Sequence, residues 1–285
     1  MLTKSEFLDN YTSRIILLDG ATGTYLLSAG KPRGICQEKW IIHNPEIISE
    51  LQRSYAAAGS DIIYAPTFQA NGLALRKHGF ESEIASINQQ LIAISRKAAP
   101  NCLIAGNLTT LRGCIDTSDE HNIGNMTEVY GEQLRYLVKG GADIVVAETL
   151  LHPLEAKAIL VAAEREGISS VMISFTARQD GALCSGHSAS DVFGELEDLG
   201  AVALGLNCIA ADDSLPLLIK KLKQSISVPL ICKPNTGRAV NGTSPIDINK
   251  FTDIMQQCIE NGAAMIGGCC GTTPAHIAAL KKLIS

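Results

Sequence analysis

Cys208, closing Gly205-Leu206-Asn207-Cys208, and the adjacent pair in Gly267-Gly268-Cys269-Cys270-Gly271-Thr272 are the side chains best placed for chemistry. Each follows a short apolar run, Ala201 to Leu206 in one case and Ala263 to Ile266 in the other. Both groups are therefore expected where a buried strand opens into a loop. Three thiolates at two strand ends suit a Zn²⁺ ion. A structural zinc is normally closed by four protein ligands, whereas a catalytic one keeps a position open. Three cysteines with no evident fourth ligand point to the catalytic kind. Successive strand residues face opposite sides, so Cys269 and Cys270 reach one metal only if the chain turns there. Gly267, Gly268 and Gly271 permit that turn.

The other six cysteines (Cys36, Cys102, Cys114, Cys184, Cys232, Cys258) read as structural, several of them inside apolar runs. An odd total of nine, with no secretion signal, argues for a reducing compartment rather than a disulfide framework. His43, His78, His121, His152 and His276 lack metal spacing, and only His187 lies beyond a strand end where it could approach the mouth. No Gly-x-Ser-x-Gly elbow supports a serine triad.

The elements that must carry these residues repeat one theme. Strands are expected at Ile15 to Leu18, Asp61 to Ala65, Cys102 to Gly106 and Asp143 to Ala147, then at Ser170 to Phe175, Ala201 to Leu206, Pro229 to Cys232 and Ala263 to Gly267. Amphipathic helices lie between them, opened at Asn44-Pro45, Thr127, His152-Pro153, Ser190-Asp191 and Thr273-Pro274. Eight alternations filling the chain predict an α/β fold, a single-domain (β/α)₈ TIM barrel, over a doubly wound open sheet. Gly20-Ala21-Thr22-Gly23-Thr24 does not match a dinucleotide fingerprint, and no P-loop lysine follows it. In a barrel the strand ends converge on one mouth. They bring Asp19, Thr67, Glu148, Asn207-Cys208, Lys233 to Thr236 and Cys269-Cys270 together. The long loops Ala29 to Asn44 and Leu108 to Met126 are candidate lids.

Composition agrees. The 285 residues are 46% hydrophobic but only 5% aromatic, so the core is aliphatic, as in a helix-wrapped parallel sheet. A net charge of −5 without basic runs argues against a nucleic-acid surface. Met1 to Arg14 is polar and not a signal peptide, and no apolar run approaches the roughly 18 to 20 residues that span a bilayer. A cytoplasmic protein without membrane contact is expected.

Several segments together resemble the homocysteine S-methyltransferase family: Leu18-Asp19-Gly20-Ala21-Thr22-Gly23-Thr24, Ala57-Ala58-Gly59-Ser60-Asp61-Ile62, Thr67-Phe68-Gln69-Ala70-Asn71, Gly205-Leu206-Asn207-Cys208 and Gly267 to Pro274. The likeness is greatest to the N-terminal homocysteine-binding module of cobalamin-dependent methionine synthase, and runs from about Ile15 to the C-terminus. It implies one homocysteine-binding barrel domain over residues 1–285, with 1–14 a polar N-terminal extension. Cys208, Cys269 and Cys270 match the zinc ligands. Asp19 and Glu148 match acidic positions around homocysteine, Glu148 the better candidate for its ammonium group. Thr67 and Asn235 sit in matching strand-end motifs and would help hold the amino-acid end. Three thiolates on Zn²⁺ leave a net charge of −1, so a bound substrate thiolate stays nucleophilic and no protein nucleophile is required.

Two departures bear on the methyl donor. The sequence ends with the barrel, so a folate- or cobalamin-binding module is expected on another polypeptide. After the third strand it reads Gly106-Asn107-Leu108-Thr109-Thr110-Leu111, where related proteins carry a Gly-Pro turn. The expected function is zinc-dependent methyl transfer to homocysteine to give methionine. The donor is a small sulfonium such as S-methylmethionine, or methylcobalamin on a separate corrinoid protein. The alternatives are another thiol or selenol acceptor, a non-catalytic zinc- or thiol-binding barrel, and an aldolase-type barrel with Lys233 as Schiff-base lysine. Lys233 pointing away from the mouth would remove the last.

Overall fold

Each of the eight apolar runs becomes a parallel strand in the computed structural model, which describes residues 1–11, 13–237 and 245–285. The strands are β1 (Ile16–Leu17), β2 (Ile62–Tyr64), β3 (Leu103–Leu108), β4 (Ile144–Leu150), β5 (Val171–Phe175), β6 (Ala203–Ala210), β7 (Leu230–Asn235) and β8 (Ala263–Ile266). They pair in the order β1-β8-β7-β6-β5-β4-β3-β2. A parallel bridge from Leu18 to Ile62, with the Asp61 N–H donating to Leu17 O at 2.7 Å, joins β1 to β2 and closes the barrel. The (β/α)₈ architecture expected from the alternation is the one observed.

The period of two along each strand sorts the aliphatic residues into two cores. Ile16, Ile62, Ile144, Met172, Ile231 and Met265 fill the barrel interior, while Leu17, Ile63, Val145, Ile173, Leu204 and Ile266 pack outward against the helices. Helix starts follow the expected chemistry at several places. Pro45 opens Pro45–Ala57, Pro153 opens Pro153–Arg165, and Thr273 forms a capping box with His276 at the head of Pro274–Leu283. Thr127 does not begin a helix. Its helix, Ile123–Lys139, starts one turn earlier, and the Thr127 hydroxyl donates to Ile123 O at 2.8 Å.

Four strands run past their expected ends. β3 continues from Gly106 to Leu108, β4 from Ala147 to Leu150, β6 from Leu206 to Ala210 and β7 from Cys232 to Asn235. Backbone groups alone make the ladder, so a polar side chain at the mouth does not end a strand even though hydropathy falls there. The extensions are irregular. The β4–β5 register shifts between Ala147 and Leu150, and the β6–β7 register between Asn207 and Ala210. Each shift contains a non-glycine residue with positive φ, Thr149 at 59° and Cys208 at 57°.

The polar N-terminal stretch carries a helix, Lys4–Tyr11, whose Phe7 is fully buried and joins the interior cluster. Leu2 ties it to the barrel's lower face: its N–H donates to Asp143 O and its carbonyl accepts from Ser170 Oγ, both at 2.7 Å. Among the described residues no helix is long and apolar enough to cross a membrane. Because Phe7 plugs the end opposite the mouth, Phe7→Ala should lower unfolding free energy by about 3–5 kcal/mol in denaturant titration. A loss below about 1 kcal/mol would show that Phe7 does not carry the packing of that end.

Candidate metal and substrate site

The loop after β8 turns so that consecutive cysteines reach one point. Gly271 adopts φ +85°, and the Thr272 N–H and hydroxyl both donate to Cys269 O, at 3.1 and 2.8 Å. At Gly268 an added Cβ would lie 2.3 Å from Thr272 Oγ1, so only glycine fits. Neighbouring strand ends fasten the loop. Cys269 N–H donates to Pro234 O at 2.8 Å, Gly268 N–H to Asp19 O at 3.0 Å, and Thr236 N–H to Cys270 O at 3.1 Å.

Cys208 meets the pair from β6. The three Sγ atoms lie within 4.8 Å of one another, and Cys208 Sγ is 3.8 Å from Cys270 Sγ. Zinc–sulfur bonds of about 2.3 Å at a tetrahedral angle place two sulfurs about 3.8 Å apart, so the spacing fits such an ion. Chemistry agrees with geometry: Cys269 and Cys270, with burial added, push the Cys208 thiol far up. Three thiolates this close need a cation between them. Among the described residues no further His, Cys, Asp or Glu joins the cluster.

Asn207, fully buried, links the cluster to β4. Its Oδ1 accepts from Thr149 N–H at 2.8 Å and from Ser174 Oγ at 2.9 Å. Its Nδ2 donates to Thr149 Oγ1 at 2.7 Å and lies 3.9 Å from Cys269 Sγ. One amide thereby braces both irregular strand ends and contacts a cysteine.

A cavity of about 390 Å³ opens over the cysteines, lined also by Asp19, Tyr64, Asn107, Glu148 and Lys233. Asp19 is buried and engaged on both oxygens, Oδ1 with Lys233 Nζ at 2.7 Å and Oδ2 with the Tyr64 N–H at 2.8 Å. Lys233 Nζ also sits 3.6 Å from the Tyr64 ring centroid, within cation–π range. Burial opposes its charge, but Asp19, Tyr64 and Glu148 outweigh that and hold its pKa above the ordinary lysine value. Lys233 therefore faces the cavity, contrary to the placement that would have dismissed an aldolase. It is ion pairing that argues against a Schiff base, which needs a neutral amine.

Glu148 is half-buried and lines the cavity. Burial raises its pKa to about 7, with Lys233 and an Asn107 hydrogen bond opposing the shift. Asn107 Nδ2 donates to Glu148 Oε1 at 2.7 Å, while Asn107 Oδ1 is buried with no partner among the described residues. An orphaned acceptor of that kind costs about 1–3 kcal/mol.

Thr67 and Asn235 are placed differently. The Thr67 hydroxyl donates to Asn107 O and accepts from Asn107 N–H, both at 2.9 Å, clamping β2 to β3; Asn235 Oδ1 accepts from Gly237 N–H at 3.1 Å. Neither lines the cavity. The loop Ala29–Asn44 supplies Lys31, Ile35, Cys36, Gln37 and Glu38 to the outer wall, whereas 108–126 contributes nothing to the lining. His187 is exposed, edge-on to His152 and away from the cavity. Sequence reasoning treated Asn107 only as a departure, weighed Lys233 only as a nucleophile and missed Tyr64. A buried amide or amine inside a parallel strand was the available signal.

The profile described as homocysteine S-methyltransferase matches residues 16–284. Methionine synthase of Mycobacterium tuberculosis (strain ATCC 25618 / H37Rv) is 26% identical across 97% of this chain, which spans only 25% of that protein. The chain likewise spans 24% of the methionine synthase of Mycobacterium leprae (strain TN), so about a quarter of either. Homocysteine S-methyltransferase of Escherichia coli (strain K12) is 28% identical over 94% of both chains. The metallated form of the homocysteine methyltransferase MmuM from Escherichia coli superposes with a TM-score of 0.78 at 28% identity, covering 97% of this chain and 98% of that one. The carboxyl transferase domain of Rhizobium etli pyruvate carboxylase, at 16% identity and a TM-score of 0.57, shares the fold alone.

The raised pKa of Glu148 sets a pH dependence. An ordinary value of 4.5 against about 7 in the folded chain means the native state takes up a proton between those limits. Its charged form is thus destabilising above pH 7, and the cost fades as pH falls towards 4.5. Glu148→Gln should melt roughly 2–4 °C above the ligand-free parent at pH 8, with the gap closing by pH 5. An equal gap at both pH values would mean the carboxyl is not perturbed.

Proposed function

The chain belongs to the homocysteine S-methyltransferase family, and we propose that it transfers a methyl group to the thiol of homocysteine, giving methionine. One observation carries this reading: a three-sulfur cluster at the end of a cavity whose other polar groups suit an α-amino acid. Cys208, Cys269 and Cys270 would hold a zinc ion, which when bound lowers the pKa of a substrate thiol from its usual value of about 8.5. The chain's own groups do the rest. Glu148 accepts the substrate ammonium. Asp19 and Lys233 balance each other's charge beneath it. Tyr64, Ala65, Pro66 and Phe68 wall the cavity and exclude water, and the mouth aligns acceptor and donor for in-line transfer. A reducing, cytoplasmic setting suits three thiols this exposed to oxidation.

The first donor to test is a small sulfonium such as S-methylmethionine. The Phe68 ring on the outer wall suits a sulfonium cation. Methylcobalamin on a separate corrinoid protein is the second donor to test. A non-catalytic zinc barrel has less support, because acidic and cationic groups surround the cluster and no fourth ligand joins it among the described residues.

The test is methionine formation by the zinc-loaded protein with homocysteine and each donor in turn. Turnover with S-methylmethionine is expected, abolished in Cys269→Ala together with a drop from one bound zinc per chain. Turnover only with methylcobalamin would replace the sulfonium donor by a corrinoid partner. No methionine from either donor, despite bound zinc, would move the acceptor to another thiol or selenol.

A further inference from the structure

Two side chains in the mouth hold the carboxylates in different states. Asp19 is spent: Lys233 occupies Oδ1 and the Tyr64 amide occupies Oδ2. Among the described residues Glu148 is hydrogen-bonded on one oxygen only, by Asn107 Nδ2 at 2.7 Å, and it lines the cavity. The Asn107 amide cannot reverse without turning its oxygen onto the carboxylate. Asn107 itself is only 4% exposed, and its orphaned Oδ1 makes it a poor choice for strand packing. Leucine would fill β3 without leaving an unpaired acceptor. Native chains keep such defects where a function needs them. The backbone of Asn107 is meanwhile locked by Thr67 Oγ1 on both its N–H and its carbonyl, so the side chain departs from a fixed point.

We propose that Asn107 is a positioning residue that holds Glu148 with one oxygen free for the substrate ammonium, and so selects α-amino thiols over thiols without an amino group. This rests on the homocysteine reading above and adds a residue and a selectivity to it. Lys233 enforces the selectivity from the other side. Of the three carboxylates lining the cavity, Asp19 is neutralised by Lys233, and Glu38 accepts from the Gln69 N–H on Oε1 and from the Cys36 thiol on Oε2, which leaves Glu148 with capacity for a cation.

The test compares L-methionine with 4-(methylthio)butanoate, the same molecule lacking the amino group, by calorimetric binding to the zinc-loaded protein. It needs no turnover, so it stands apart from the donor question. The parent should prefer methionine by about 10- to 100-fold, the range for a hydrogen bond to a charged group. Asn107→Leu should lose most of that preference while binding 4-(methylthio)butanoate within about twofold of the parent. Since Asn107 acts through Glu148, Glu148→Gln should collapse the same ratio, and the double variant should lose little more. Asn107→Ser serves if the leucine variant does not fold. Equal losses for both ligands, or additive losses in the double variant, would overturn the proposal. Failure of the acceptor reading would look different: the parent would bind neither ligand.

Discussion

Two left-handed residues and the amide that braces them hold the mouth of this barrel together. In a regular strand Asn207 and Cys208 would face opposite sides, and so would Glu148 and Thr149. At Cys208, φ of 57°, and at Thr149, φ of 59°, the alternation is broken and both members of each pair serve the mouth. A non-glycine residue held there costs roughly 1–2 kcal/mol. Asn207 offsets that with hydrogen bonds to the amide and hydroxyl of Thr149 and to Ser174. One buried side chain thus couples the bulge that presents Cys208 to the bulge that presents Glu148. The cysteine end and the Glu148 end of the cavity cannot move independently.

Charge imposes the second constraint. Asp19, Glu148 and the cysteines crowd one small volume around a single fully enclosed ammonium, Lys233. Removing one partner from a buried pair leaves an uncompensated charge, which is why such pairs break at high cost even when their net contribution is small. The arrangement leaves one carboxylate, Glu148, poised near neutrality and the cysteine cluster short of a cation. Under the proposed function, a zinc ion and an amino-acid ammonium would supply what is missing.

The fold was legible because its signals are local and repeated. Eight aliphatic runs, Pro at helix starts and glycine after helix ends do not depend on distant contacts. The strand ends were misplaced for an equally plain reason. Hydropathy falls at Asn107, Glu148, Asn207 and Lys233, yet the backbone ladder runs on through all four. Thr127 looked like a cap and lies inside its helix, because the turn before it is closed by backbone bonds to which a threonine hydroxyl adds little.

The site divides the same way. Sequence alone determined that Cys208, Cys269 and Cys270 form one group, since adjacent cysteines among glycines at a strand end have few other uses. It also placed Asp19 and Glu148 at the mouth, because barrel topology sends every strand end there. It did not determine which acid is free. Asp19 and Glu148 lie at equivalent strand ends, and only packing puts Lys233 against one and Asn107 against the other. Nor did it separate Thr67 and Asn235, whose side chains turn to the backbone, from the residues that line the cavity. Residue type and spacing set which chemistry is available. The tertiary structure decided which groups remain free for it, because hydrogen-bond partners over forty to two hundred residues away consume the rest.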